Sequence, residues 1–149
     1  MKIFRSIFSV MLVLVATVLV SCGSPEAAAP PTYTPEKLQT IKTYRIPIDV
    51  ARDNMSKLGE LIGEQDWVDT RSYIHGPLGF LRRDFRYLSN TLLPDDAEQA
   101  KEIAEDIFLR LENLDAAAKE KDAKIVATEY GKAIADFDSY LDLIPDRAS

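Results

Sequence analysis

One cysteine, one histidine and one tryptophan occur in 149 residues, with only six glycines. A single cysteine forms no disulfide within its own chain, and it supplies neither the Cys-x-x-Cys-His of covalent haem nor a cysteine-rich zinc cluster. The histidine, His75, has no glutamate three residues before it, so the paired Glu-x-x-His motifs of a di-iron bundle are missing. Met55 and His75 are the residue types of a Met/His haem site, but Met55 stands in an apolar stripe and reads as core filler. No serine or cysteine is set beside a histidine as an activated nucleophile would be. A calcium site favours carboxylates clustered in a loop. Asp136 and Asp138 come nearest, yet on a helix they point about 200° apart. These absences lead to the expectation of no enzyme, no intrinsic cofactor and no metal centre.

Long apolar runs are also lacking. The uncharged, largely apolar run from Ile7 to Val20 falls short of the roughly 20 apolar residues needed to span a bilayer. It follows Lys2 and Arg5, and this order reads as a signal peptide over residues 1–21. Leu19-Val20-Ser21-Cys22 has the form of a bacterial lipobox, in which Cys22 is lipidated and becomes the first mature residue. A core cysteine is the other reading, but Cys22 closes a cleavable segment where no core exists.

Cleavage would leave 128 residues, enough for one domain with one core. Sixteen basic side chains then face twenty-four acidic ones, a net charge of −8. That sign argues against nucleic acid as a partner, whose phosphates want the opposite charge, and is expected to keep the domain soluble beside the membrane. Gly23 to Thr32 holds three prolines and almost nothing to bury, so residues 22–34 are expected to be lipidated Cys22 and a flexible tether.

Helical periodicity fills residues 35–149. Thr34 is the expected N-cap with Pro35 at the first helical position. Ile41, Ile48, Ala51, Met55, Leu58 and Ile62 form one face, with a kink or fresh start expected at Pro47. Asp66 should cap a second segment with Trp67, Ile74, Leu78, Leu81, Phe85, Leu88 and Leu92 as its apolar face. Because that phase survives Pro77, one kinked helix is expected, closed by Pro94. Asp95 and Glu98 have the spacing of a capping box for a third helix carrying Ala100, Ala104, Ile107, Leu111, Leu114 and Ala118. After Glu120-Lys121-Asp122, a fourth runs through Val126, Tyr130, Ala133, Ile134, Phe137, Tyr140, Leu141 and Ile144. The fold class is therefore all-α, an up-down-up-down four-helix bundle. Its expected core includes Trp67, Leu81, Phe85, Leu111, Phe137 and Leu141.

One surface feature departs from the acidic average. At 100° per residue, Arg71, His75, Arg82 and Arg86 fall within an arc of about 60° beside the apolar face of the second helix. This basic stripe is a candidate docking surface. Pairing of the same arginines with acids of neighbouring helices is the alternative.

The second helix also carries a family likeness. Trp67-Val68-Asp69-Thr70, Tyr73-Ile74-His75-Gly76-Pro77-Leu78-Gly79 and Leu81-Arg82-Arg83-Asp84 resemble the PsbQ family of photosystem II extrinsic proteins. Leu92-Leu93-Pro94, Leu114-Asp115-Ala116-Ala117-Ala118-Lys119 and Ala135-Asp136-Phe137-Asp138-Ser139-Tyr140 match the same pattern. The lipobox at Cys22 places the likeness in the cyanobacterial lipoprotein branch. The resemblance implies a four-helix bundle at the lumenal side of the thylakoid membrane. Its partners would be lumenal and core subunits of photosystem II, and it would help retain calcium and chloride at a manganese cluster held by other subunits. Plant members lack the lipid anchor and have a long N-terminal segment, so plant-specific contacts do not carry over. A periplasmic or outer-membrane lipoprotein adaptor or carrier is the competing class.

Overall fold

The computed structural model describes residues 31–146. The expected signal peptide, the lipobox at Cys22 and the tether as far as residue 30 lie outside the described residues. From Thr32 onward the chain belongs to one compact unit, helical and without strands among the described residues. Five helices follow in order: α1 (Pro35–Gly63), α2 (Trp67–His75), α3 (Leu81–Ser89), α4 (Pro94–Lys119) and α5 (Ala123–Leu143).

α1 starts as its sequence dictates. Thr34 Oγ1 accepts the Lys37 N–H at 3.3 Å, and Pro35 occupies the first turn, where an N–H would have no partner. Pro47 neither ends nor restarts the helix, which runs through it. The Pro47 ring is exposed, so the Thr43 carbonyl it leaves without a donor lies on the solvent side, where water can satisfy it. Gln65 then takes a left-handed φ of 56°. The N–H groups of Gln65 and Asp66 return to the carbonyls of Ile62 and Leu61, closing the end of α1.

The expected single kinked helix around Pro77 is instead two helices, α2 and α3. Gly76 precedes a proline, which disfavours the helical region, and its φ/ψ of −91°/−92° breaks the ladder. Residues 76–80 make a turn held by Leu78 N–H to the Tyr73 carbonyl and Gly79 N–H to the Gly76 carbonyl. The turn restores the phase, which is why Leu78 and Leu81 are both buried and the apolar spacing looked unbroken. Gly79 is required there, because a Cβ would stand 2.5 Å from the His75 carbonyl oxygen.

Pro94 opens α4 rather than closing the preceding segment. Leu93 is the N-cap, without a side-chain bond, and the expected box of Asp95 and Glu98 does not form. The fixed φ of proline suits the first helical position, and Asp95 and Asp96 fall in the first turn, where the helix dipole favours them. At the other end Lys121 has φ 59°, and Asp122 caps α5 by accepting the N–H groups of Lys124 and Ile125.

α1 adjoins α2, α3 and α5; α4 adjoins the same three; α1 and α4 do not meet. The broken limb α2–α3 thus occupies one side of a ring, opposite α5. In its centre Phe85 meets the rings of Phe108, Phe137 and Tyr140 at centroid distances of 5.6, 5.5 and 4.4 Å. Leu81, Phe85, Leu111 and Phe137 are buried as expected, whereas Trp67 and Leu141 are half-buried at the edge of the core. Tyr33, assigned by sequence to the tether, is buried. Its hydroxyl accepts the Leu93 N–H at 3.1 Å and donates to Asp96.

Candidate docking surface

The stripe residues fall on both sides of the Gly76–Phe80 turn, so the helical projection that grouped them does not hold as drawn. Arg71 and His75 stand on α2, Arg82 and Arg86 on α3. Three of them nevertheless converge on α4. Arg71 Nε and His75 Nε2 lie 3.0 and 3.1 Å from the same oxygen of Asp115. Arg82 reaches Glu112 at 2.5 Å and Glu105 at 3.5 Å, and its guanidinium lies 4.3 Å over the Phe108 ring.

Glu105, Glu112 and Asp115 are seven and three residues apart, which sets them on one face of α4. Sequence reasoning did not single out this acidic stripe, although its spacing was as legible as that of the arginines. Asp115 is only 19 % exposed, but Arg82 and its two partners are more than half exposed, so those pairs are worth about 0–1 kcal/mol each.

Arg86 differs. Its guanidinium lies 5.7 Å from the Tyr87 ring centre, and no carboxylate comes within ion-pair distance of it among the described residues. The surface is therefore a row of cations neutralised from Arg71 to Arg82 and open at Arg86.

Other charged groups lie in structural pairs. Arg52 holds Asp138 at 2.7 Å, and that hydrogen bond keeps the Asp138 carboxyl below its ordinary range. Asp136 turns instead to Arg110, so the two carboxylates point to different helices. Glu129 is buried and is held in its ionised form first by a 2.7 Å hydrogen bond from Lys132. Among the described residues no three His, Cys, Asp or Glu side chains gather as metal ligands, and no helix is long and apolar enough to cross a membrane. The arrangement offers charge and shape for binding a partner.

Comparison with known proteins gives this surface its setting. The family model of PsbQ, oxygen evolving enhancer protein 3, matches residues 4–145. The protein CyanoQ of Synechocystis sp. (strain ATCC 27184 / PCC 6803 / Kazusa) is 53 % identical over 146 residues, covering 97 % of this chain and 98 % of that protein. A match along nearly the whole length, including the α2–α3 turn and every helix, leaves one conclusion: the chain belongs to the PsbQ family.

Proposed function

We propose that this protein is an extrinsic, non-catalytic subunit of photosystem II, a four-helix bundle whose second limb is divided into α2 and α3. It docks on the lumenal side of the complex, stabilises the oxygen-evolving machinery and helps retain calcium and chloride at the manganese cluster, whose ligands belong to other subunits. Membership of the PsbQ family over nearly the entire chain carries this reading. A lipid on Cys22 holds the domain at the thylakoid membrane and raises its effective concentration beside an intramembrane partner. Retention follows from steric cover: a docked bundle closes a lumenal path by which ions would otherwise leave.

The proposed docking face carries Arg71, His75, Arg82 and Arg86. Its support is the concentration of cations on one side of an otherwise acidic domain, together with Arg86, which has no carboxylate partner among the described residues. The reading is tested with a tagged full-length chain expressed in its source cells. The tag should co-purify with oxygen-evolving photosystem II from thylakoids. Cells lacking the gene should lose oxygen evolution sooner in medium depleted of calcium and chloride. Recovery of the chain in the cell envelope, without photosystem II subunits, would refute the reading and favour the adaptor class.

A further inference from the structure

A second cation stands across from Arg86. Between α3 and α4 runs a groove of about 500 Å³, with Arg86, Ser89 and Asn90 on its α3 side and Lys101 and Glu105 on its α4 side, over a floor of Phe85, Ala104 and Phe108 that is itself buried. Lys101 has Glu98 three residues before it and Glu105 four residues after it, the spacings at which helical ion pairs form. It engages neither, and Glu105 turns to Arg82 instead. Arg86 and Lys101 are both exposed and lack a carboxylate within 4 Å among the described residues. In a chain with six more acidic than basic residues, two cations left unpaired at one groove, whose own carboxylate Glu105 is engaged by Arg82, make it complementary to negative charge from outside.

We infer that this groove receives an acidic segment of a protein partner, with its carboxylates on Arg86 and Lys101. The inference rests on the docking reading and narrows it to one end of the stripe. A phosphate group would need donors converging on one point. Here the cations stand on different helices on either side of the groove, which matches carboxylates spaced along a chain. Arg71 and His75, already satisfied by Asp115, serve the fold more than the partner. Lys101, which no helical projection of the second limb could include, becomes part of the site.

Zero-length carbodiimide coupling tests this directly, because it joins an amine only to a carboxylate in contact with it. The full lipidated chain is rebound to photosystem II particles depleted of it, coupled, and digested for mass spectrometry. Lys101 should be joined to an aspartate or glutamate of another subunit. Arg86→Glu with Lys101→Glu should weaken rebinding by about tenfold or more, as loss of two exposed attractions and gain of two repulsions implies, with an unchanged melting temperature. Coupling of Lys101 only to a second copy of this chain would overturn the inference. So would full rebinding of the double variant, or loss only of its binding to vesicles containing anionic lipid. Failure of the unaltered chain to rebind would overturn the subunit reading as well, so the two failures are distinguishable. The coupling needs no substitution and decides the question even where a variant is unstable.

Discussion

Phe85 sits where three other aromatic rings meet and is 1 % exposed. Phe85→Ala should cost about 3–5 kcal/mol, a large share of the 5–15 kcal/mol typical of such a domain. Chemical denaturation of both forms measures it, and a loss below about 1 kcal/mol would contradict this packing. Thr70 presents the opposite case: it is fully buried and its hydroxyl has no partner among the described residues. Thr70→Val keeps the shape and removes an unsatisfied group, so stability should rise by about 1 kcal/mol. Burial also pushes the phenols of Tyr33 and Tyr140 up to about 12. Their folded values lie above the unfolded value of 10.0, so their contribution is complete below that pH and is lost as pH rises from there towards 12. Thermal melts from neutral to strongly alkaline pH should fall within that window. Tyr140→Phe should remove part of the fall while losing the 3.0 Å bond to Ser89.

The elements show how a local rule can be right about chemistry and wrong about position. Three prolines lie within apolar periodicity and have three outcomes: Pro47 is carried on an exposed face, Pro77 breaks a helix, and Pro94 begins one. Proline identity alone does not choose among them. Gly76 before Pro77 tips the second limb into a break, and Gly79 permits the tight return that follows. Gly79→Ala would drive a methyl group against the His75 carbonyl, which is backbone and cannot swing aside. It should cost about 1–3 kcal/mol. Because the turn aligns α2 with α3, it should also disturb Arg82 pairing with Glu112, seen as shifted amide resonances in α3 and α4. An unaltered melt would show the turn to be more yielding than its geometry implies.

For the molecule as a whole, the proposed anchor and the proposed docking face would make separable contributions. Cys22→Ala removes the thiol that lipidation requires, so the chain should remain unprocessed or appear in the soluble lumenal fraction. Tight membrane attachment with normal processing would end the lipoprotein reading. Charge-mediated docking is screened over about 8 Å at physiological ionic strength. Photosystem II occupancy of the unanchored chain should therefore fall more steeply with salt than that of the anchored one, whose high local concentration offsets weaker attraction. Equal salt dependence of the two forms, measured by washing isolated membranes, would argue against an electrostatic docking face.

The all-helical class, the Thr34 and Asp66 caps, and most of the core were determined by sequence alone. A 3.6-residue apolar period and a capping side chain are local signals that need no knowledge of what packs against them. The family was legible for a related reason, since its motifs run in order along the chain. Tertiary structure alone decided which limb breaks, which cations are already neutralised, and which remain open. Arg71, Arg82 and Arg86 look alike on a helical wheel. Asp115, Glu112 and Glu105 arrive from a helix 44, 30 and 23 residues after the arginines they meet, and only the packing of α4 against α2 and α3 brings those acids to two of the arginines and leaves the third across the groove from Lys101. Ion pairing depends on distance in space, and no period along one chain segment encodes that distance.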